Sequence, residues 1–131
     1  RQYVQSCCQG LTLVYDSGVN QGHQPMAQVT EAQALNSALF TLQQNGWRVE
    51  AVDDGEGCTN IDSNCSKLQA RRQAVEAADA VEFARIGLRR ADDPMESIDI
   101  TVIWGNGAEC IVADYHAHRR WHEELDRLLL N

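Results

Sequence analysis

The sequence has one lysine, Lys67, against ten arginines, and its 11 basic residues are outnumbered by 19 acidic ones, a formal net charge of −8. So little positive charge argues against nucleic acid as the main partner, because phosphate binding is driven by clustered Lys and Arg. An anionic membrane surface is disfavoured on the same ground. No apolar run approaches the roughly 20 residues of a membrane span, and no signal peptide is visible. The cysteines number five, an odd count that leaves no complete disulfide framework within one chain. The default reading is a reduced, cytoplasmic protein, with Cys7 and Cys8 adjacent and poorly placed to bridge each other. Catalytic signatures are missing as well. There is no Gly-rich phosphate loop and no G-x-S-x-G elbow. "DDGEG" at 53–57 lacks the spacing of a calcium loop.

A chain of 131 residues fits one domain, with residues 1–9 read as a peripheral tail. "GLTLVY" at 10–15 reads as a strand, followed by a turn-rich loop. Thr30 with Gln33 makes a capping box, and Leu35, Ala38, Leu39 and Leu42 draw one apolar stripe, so a helix runs from there to "NG" at 45–46. "WRVEAV" at 47–52 alternates as a half-buried strand, with Trp47, Val49 and Ala51 on one face and Val52 on the other. The next stretch, "DDGEGCTNIDSNC", reads as a polar loop. A second helix is expected over 66–79, capped by Asp62, Ser63 or Asn64, with Leu68 and Val75 seven apart and several alanines near them. "AVEFARIGLRR" either extends this helix to residue 90 or forms a strand; Gly87, the β-branched Val81 and Ile86 and the following "ADDP" turn favour a strand over about 82–90, and a strong strand at 97–104 follows. "GNG" at 105–107 makes a hairpin turn into a returning strand, and a terminal helix covers 118–130 with Trp121, Leu125 and Leu128 on its stripe. The predicted class is α+β, a mainly antiparallel sheet of about five strands with about three helices, in the order β-α-β-α-β-β-β-α.

Three of the four histidines stand in "HAHRRWH". On a helix, His118 and His122 at i, i+4 share a face, and His116 precedes them, so a zinc site with a hydrolytic water is one reading. The pattern lacks the inner glutamate of H-E-x-x-H, however, and both positions border the buried stripe, where His122 can pair with Asp126. The main reading therefore assigns these rings no catalytic or metal role. Cys58 and Cys65 have six residues between them, outside the two-to-four interval usual for zinc, though a disulfide between them would close the loop. Cys110 reads as a buried small hydrophobe rather than as the nucleophile of a Cys110–His116 pair.

What remains is charge. Acidic residues cluster at Asp53, Asp54 and Glu56, at Asp92, Asp93 and Glu96, and at Glu123, Glu124 and Asp126. The expected contact set is Asp53, Asp54, Glu56, Asp92 and Asp93, with Trp104 as an aromatic anchor. It points to a small, acidic, non-catalytic module that binds a more basic protein. Inhibitors, immunity proteins and phage or mobile-element antagonists share this composition. No cofactor is expected. The other alternative is a homodimeric ligand-binding or assembly module, with Ile103, Ile111 and Tyr115 furnishing a second apolar sheet face.

Overall fold

The computed structural model describes residues 29–129. The strand expected at 10–15, the tail at 1–9 and both Cys7 and Cys8 lie outside the described residues. Within them the order is α1 (Glu31–Gln44), β1 (Trp47–Asp53), β2 (Cys58–Asn60), α2 (Lys67–Asp79), β3 (Phe83–Arg90), β4 (Ser97–Ile103), β5 (Val112–His116) and α3 (His122–Leu129). The five strands form one sheet in the order β2-β1-β3-β4-β5, and every neighbouring pair is antiparallel. The α+β class and a five-stranded antiparallel sheet are as the sequence predicts, with β2 standing in the count where the strand at 10–15 is expected. Among the described residues no helix is long and apolar enough to cross a membrane.

Helix α1 begins where the sequence places it. The Thr30 hydroxyl accepts from Gln33 N and the Gln33 side chain accepts from Thr30 N. Leu35, Leu39 and Leu42 are fully buried. Helix α2 has a capping box too, but its cap is Ser66 with Gln69, not Asp62, Ser63 or Asn64. Asp62 instead accepts from Asn64 N, which tightens the preceding turn. The buried stripe of α2 runs through the alanines: Ala70, Ala74 and Ala78 face inward and Val75 packs against the core, while Leu68 is 46% exposed. Small side chains let this helix lie close against α1 and the sheet.

A bulge explains the face assignment in β1. The register with β3 shifts between Val49 and Ala51, so Glu50 is an extra residue and the alternation slips. Val52 therefore joins Trp47 and Val49 in the core, and Ala51 turns outward opposite Gly87. The core pairs are Val49 with Leu88, Val52 with Ile86, Ile86 with Ile100, Leu88 with Ile98, and Ile100 with Tyr115. All lie on the sheet face that the helices cover.

The opposite face is charged. It carries Arg48, Glu50, Arg85, Arg89, Asp99 and Asp114, in the register Arg48 with Arg89, Arg85 with Thr101, Gly87 with Asp99, and Thr101 with Asp114. Tyr115 and Ile111 belong to the core, and Ile103, beside Phe83, is the one predicted member of a second apolar face that points this way. An antiparallel sheet tolerates a solvated face of this kind.

The edge strand β2 falls inside the expected polar loop, because "CTN" has no apolar alternation. All three residues are exposed, and the backbone pairing Asp53 with Cys58 and Ala51 with Asn60 makes it a strand. The 105–107 segment is wider than a tight hairpin. Gly105 and Gly107 have φ of 100° and 101°, a 3₁₀ turn follows at Ala108–Cys110, and β5 starts only at Val112. The Glu31 carboxylate from α1 seats in this loop, accepting from Gly105 N at 2.9 Å and Gly107 N at 2.8 Å. We expect Glu31→Gln to cost about 1–2 kcal/mol in chemical denaturation, because the charge-assisted bonds to both amides weaken together. A midpoint equal to wild type would show that the loop holds its shape unaided.

Candidate functional site

The three histidines do not converge. His116 ends β5, exposed and opposite Asp99. The terminal helix does not begin at 118: residues Arg119–Trp121 form a 3₁₀ turn capped by His118, whose Nδ1 accepts from Arg120 N at 3.2 Å, and α3 begins at His122. His118 and His122 therefore never share one helical face. His122 Nε2 lies 3.1 Å from Ala117 O, and its ring meets Tyr115 edge-on at 5.5 Å. Asp126, expected to pair with His122, accepts from the Tyr115 hydroxyl. Among the described residues no group of three or more His, Cys, Asp or Glu is placed to hold a metal ion.

The cysteines are separated as well. Cys58 and Cys65 are free thiols, and no bridge closes their loop. The Cys65 thiol donates to Asp62 O at 3.0 Å. Cys110 is buried, as expected, in the 3₁₀ turn rather than in a strand. It is disulfide-bonded, which removes it as a partner nucleophile for His116.

The acidic clusters have definite places. Asp53, Asp54 and Glu56 form the β1–β2 turn. Asp53 accepts from Gly55 N, and Asp54 from Glu56 N and Gly57 N, all at 2.9 Å. These backbone donors hold the Asp54 carboxyl below its ordinary value. Asp92 and Asp93 stand in the β3–β4 hairpin at the other end of the sheet: Trp47 pairs with Arg90, whereas Asp53 pairs with Arg85. The length of β1 puts about 20 Å between the two groups, so they do not merge into one acidic patch. Trp104 is engaged rather than presented, since its indole N–H donates to Ala78 O at 2.9 Å and its ring packs on the core.

The hairpin end holds what the sequence did not reveal. Arg90 lies over both Trp47 and Trp121, at 5.1 and 5.0 Å, while the two indoles meet edge to face at 5.0 Å. Its guanidinium also donates to Asn45 O and to the Asp92 carboxylate, whose pKa it lowers. Trp121 donates to Glu96, which is also paired with Arg120. Hydrogen bonds hold the turn at the tip. Met95 N donates to the Asp93 carboxylate, Glu96 N to Asp93 O, and Arg89 to Pro94 O. On this turn Met95 is 87% exposed. A lone Met between Pro and Glu has no periodic signal, so only the folded turn identifies it.

Arg89 also pairs in a fork with Glu50, at 2.7 and 2.9 Å, and this bond holds the Glu50 carboxyl below its ordinary 4.5. Glu50, Asp54 and Asp92 are all lowered in the folded state. Their stabilisation is therefore complete above the ordinary carboxylate range and is lost as pH falls through the folded values. Urea midpoints should be flat near neutrality and decline below about pH 4, and Glu50→Gln should shallow that decline. The Glu50–Arg89 pair is one-third exposed, with side-chain exposures of 34% and 36%, so solvent screening keeps its share of that decline small. A midpoint that rose on acidification would contradict this assignment.

No family model, curated protein or solved structure matches this chain.

Proposed function

We propose that this chain is a small, acidic, non-catalytic module that binds a more basic protein, of the inhibitor, immunity or antagonist type found on mobile elements and phage. The contact surface we assign is the tip of the β3–β4 hairpin. The observation that carries the assignment is Met95, a large apolar side chain 87% exposed on a turn held by side-chain and backbone hydrogen bonds. Baring it does nothing for the fold, and a preformed apolar knob loses little entropy on docking. Asp92 and Asp93 flank it, and the net charge of −8 draws a basic partner towards it. The partner should therefore offer an apolar recess ringed by Arg or Lys. Asp53, Asp54 and Glu56 add long-range attraction from the far end of the sheet and make no contact in the same footprint.

The test is capture from the native host with three proteins: wild type, a hairpin variant (Met95→Lys with Asp93→Lys) and a far-end variant (Asp53→Lys with Asp54→Lys). We expect the hairpin variant to lose the partner and the far-end variant to keep it with slower, salt-sensitive association. A partner retained by the hairpin variant, or an affinity indifferent to ionic strength, would overturn the reading.

A cytoplasmic location belongs to the same proposal, and the cysteine state tests it. Cys110 is disulfide-bonded in the structure. Acid-trapped, denatured protein from cells should label at all five cysteines if the compartment is reducing. Two protected thiols would place the chain in an oxidising compartment instead.

A further inference from the structure

The sheet face turned away from the helices has its charges sorted by strand. Arg48, Arg85 and Arg89 stand on β1 and β3, whereas Asp99 and Asp114 stand on β4 and β5. Arg89 is engaged by Glu50, and Asp53, at the end of β1, turns into its own loop to accept from Gly55 N. Among the described residues Arg48, Arg85, Asp99 and Asp114 make no ion pair. Arg85 lies over the Phe83 ring, and Asp114 accepts from the amide of Tyr115. One half of the face therefore keeps uncompensated positive charge and the other half uncompensated negative charge.

A glycine holds the middle. Gly87 lies between Ala51 and Asp99 across the sheet. It has no positive φ, and a Cβ there would meet Asp99 Oδ1 at 3.4 Å and Ala51 O at 3.9 Å, which are ordinary contacts. The fold thus has room for a side chain at 87, although glycine weakens a strand through its chain entropy. A bare position in a strand marks a place where another backbone comes close. With only a methyl group beside it at Ala51, the centre of the face is a shallow trough.

We propose that this face docks on the same face of a second copy of the chain. Two molecules of net charge −8 repel over most of their surface, and a face that carries both signs on separate halves can complement itself. A twofold axis along the strands, between β3 and β4, lays β3 of one copy on β4 of the other and β1 on β5. Arg85 of each copy then stands beside Asp99 and Asp114 of the second copy, and Arg48 is carried to the same acidic half. A twofold axis across the strands would lay β3 on β3 and bring Arg85 towards Arg89, so charge selects the first arrangement. The trough at Gly87 and Ala51 lets the two sheets approach the usual spacing of about 10 Å. An overlap of these four strands, five to eight residues long, covers about 400 Å² on each copy. About 800 Å² is then buried in all, the range of weak, reversible complexes. Met95 stands on the β3–β4 turn, beyond the strands, so this assignment and the hairpin assignment can each fail without the other.

The experiment is sedimentation equilibrium of the full chain over a range of micromolar concentrations, at low and at high salt. At low salt the mass should rise with concentration from one chain towards two, and high salt should reverse the rise. Arg85→Glu and Asp114→Arg should each weaken dimerisation about tenfold or more, because the symmetry repeats every lost pair. Mixed in equal amounts, the two variants should pair with each other, since each then meets the opposite sign. Gly87→Val should leave the urea midpoint of the dilute chain at or above wild type and weaken the dimer about tenfold. The Met95→Lys, Asp93→Lys variant should still dimerise. A single-chain mass at every concentration, a dimer indifferent to salt, or charge variants that fail to pair when mixed would overturn the proposal. Hydrogen exchange that protects this face in the single chain would give it to another occupant and overturn it too.

Discussion

Arg90→Ala should lower the stability of this protein by about 3 kcal/mol, far more than loss of a surface ion pair costs. Arg90 keeps only 16% of its side chain exposed and serves three groups at once. It covers the faces of Trp47 and Trp121, satisfies the Asn45 carbonyl near the end of α1, and neutralises Asp92. Its removal uncovers two indoles and leaves a carbonyl without its donor. Arg90→Lys should recover less than half of the loss, because a point charge cannot reproduce a flat fork between rings. Gly46 belongs to the same unit. It has φ of +95°, and a Cβ there would stand 2.8 Å from Arg90 Nη2. Gly46→Ala should therefore cost about 2 kcal/mol or more, from backbone strain together with displacement of the guanidinium. In an Arg90→Ala background that cost should shrink, and a double-mutant cycle by urea denaturation measures the coupling. Strictly additive losses, or an Arg90→Ala loss below about 1 kcal/mol, would show that Arg90 is only a partner for Asp92.

The second large effect is expected from a residue that adds almost no surface. Ala74 lies at the centre of the α2 stripe, fully buried between α1 and the sheet. Ala74→Leu should cost about 3 kcal/mol, because extra methylenes in a filled interior force side chains off their rotamers or push the helix away. Alanine and leucine have nearly equal helix propensity, so the loss reports packing and not helix formation. Leu68→Ala, the residue that periodicity alone puts on the apolar side of α2, is the control. It is 46% exposed, and its truncation should cost under about 1 kcal/mol. Thermal or urea midpoints for the two variants suffice. Tolerance of leucine at 74 would mean that α2 stands off the sheet by more than an alanine's width.

The Ala74 and Leu68 pair also marks how far the sequence is legible. Elements whose signal recurs at a fixed period are found where the pattern puts them. The Thr30–Gln33 box, the leucine stripe of α1 and the strict alternation of "SIDITVIW" depend on nearest neighbours along the chain, and each appears in the structure. Strand β3 has a weaker local signal, interrupted by Gly87, and it too is present, at Phe83–Arg90. Pattern fails where a neighbour in space decides. One extra residue in β1 reverses the faces of Ala51 and Val52, and backbone pairing alone makes a strand of three exposed residues in β2. A 3₁₀ turn at 119–121 keeps His118 and His122 from sharing a helical face.

The candidate sites divide along the same line. Composition and charge are sufficient to propose an acidic module, because net charge is a sum over residues and needs no geometry. They cannot say that Asp53 and Asp92 lie at opposite ends of a sheet, that Trp104 is spent on Ala78, or that Met95 is bare. By itself the sequence determined the elements that local hydrogen bonding and periodicity specify, along with the sign of the molecule's field. Tertiary structure decided which side chains meet, because the Arg90 stack, the Glu31 contact with Gly105 and Gly107, and the Arg89–Glu50 fork each join segments tens of residues apart, and no local pattern encodes a distance across the fold.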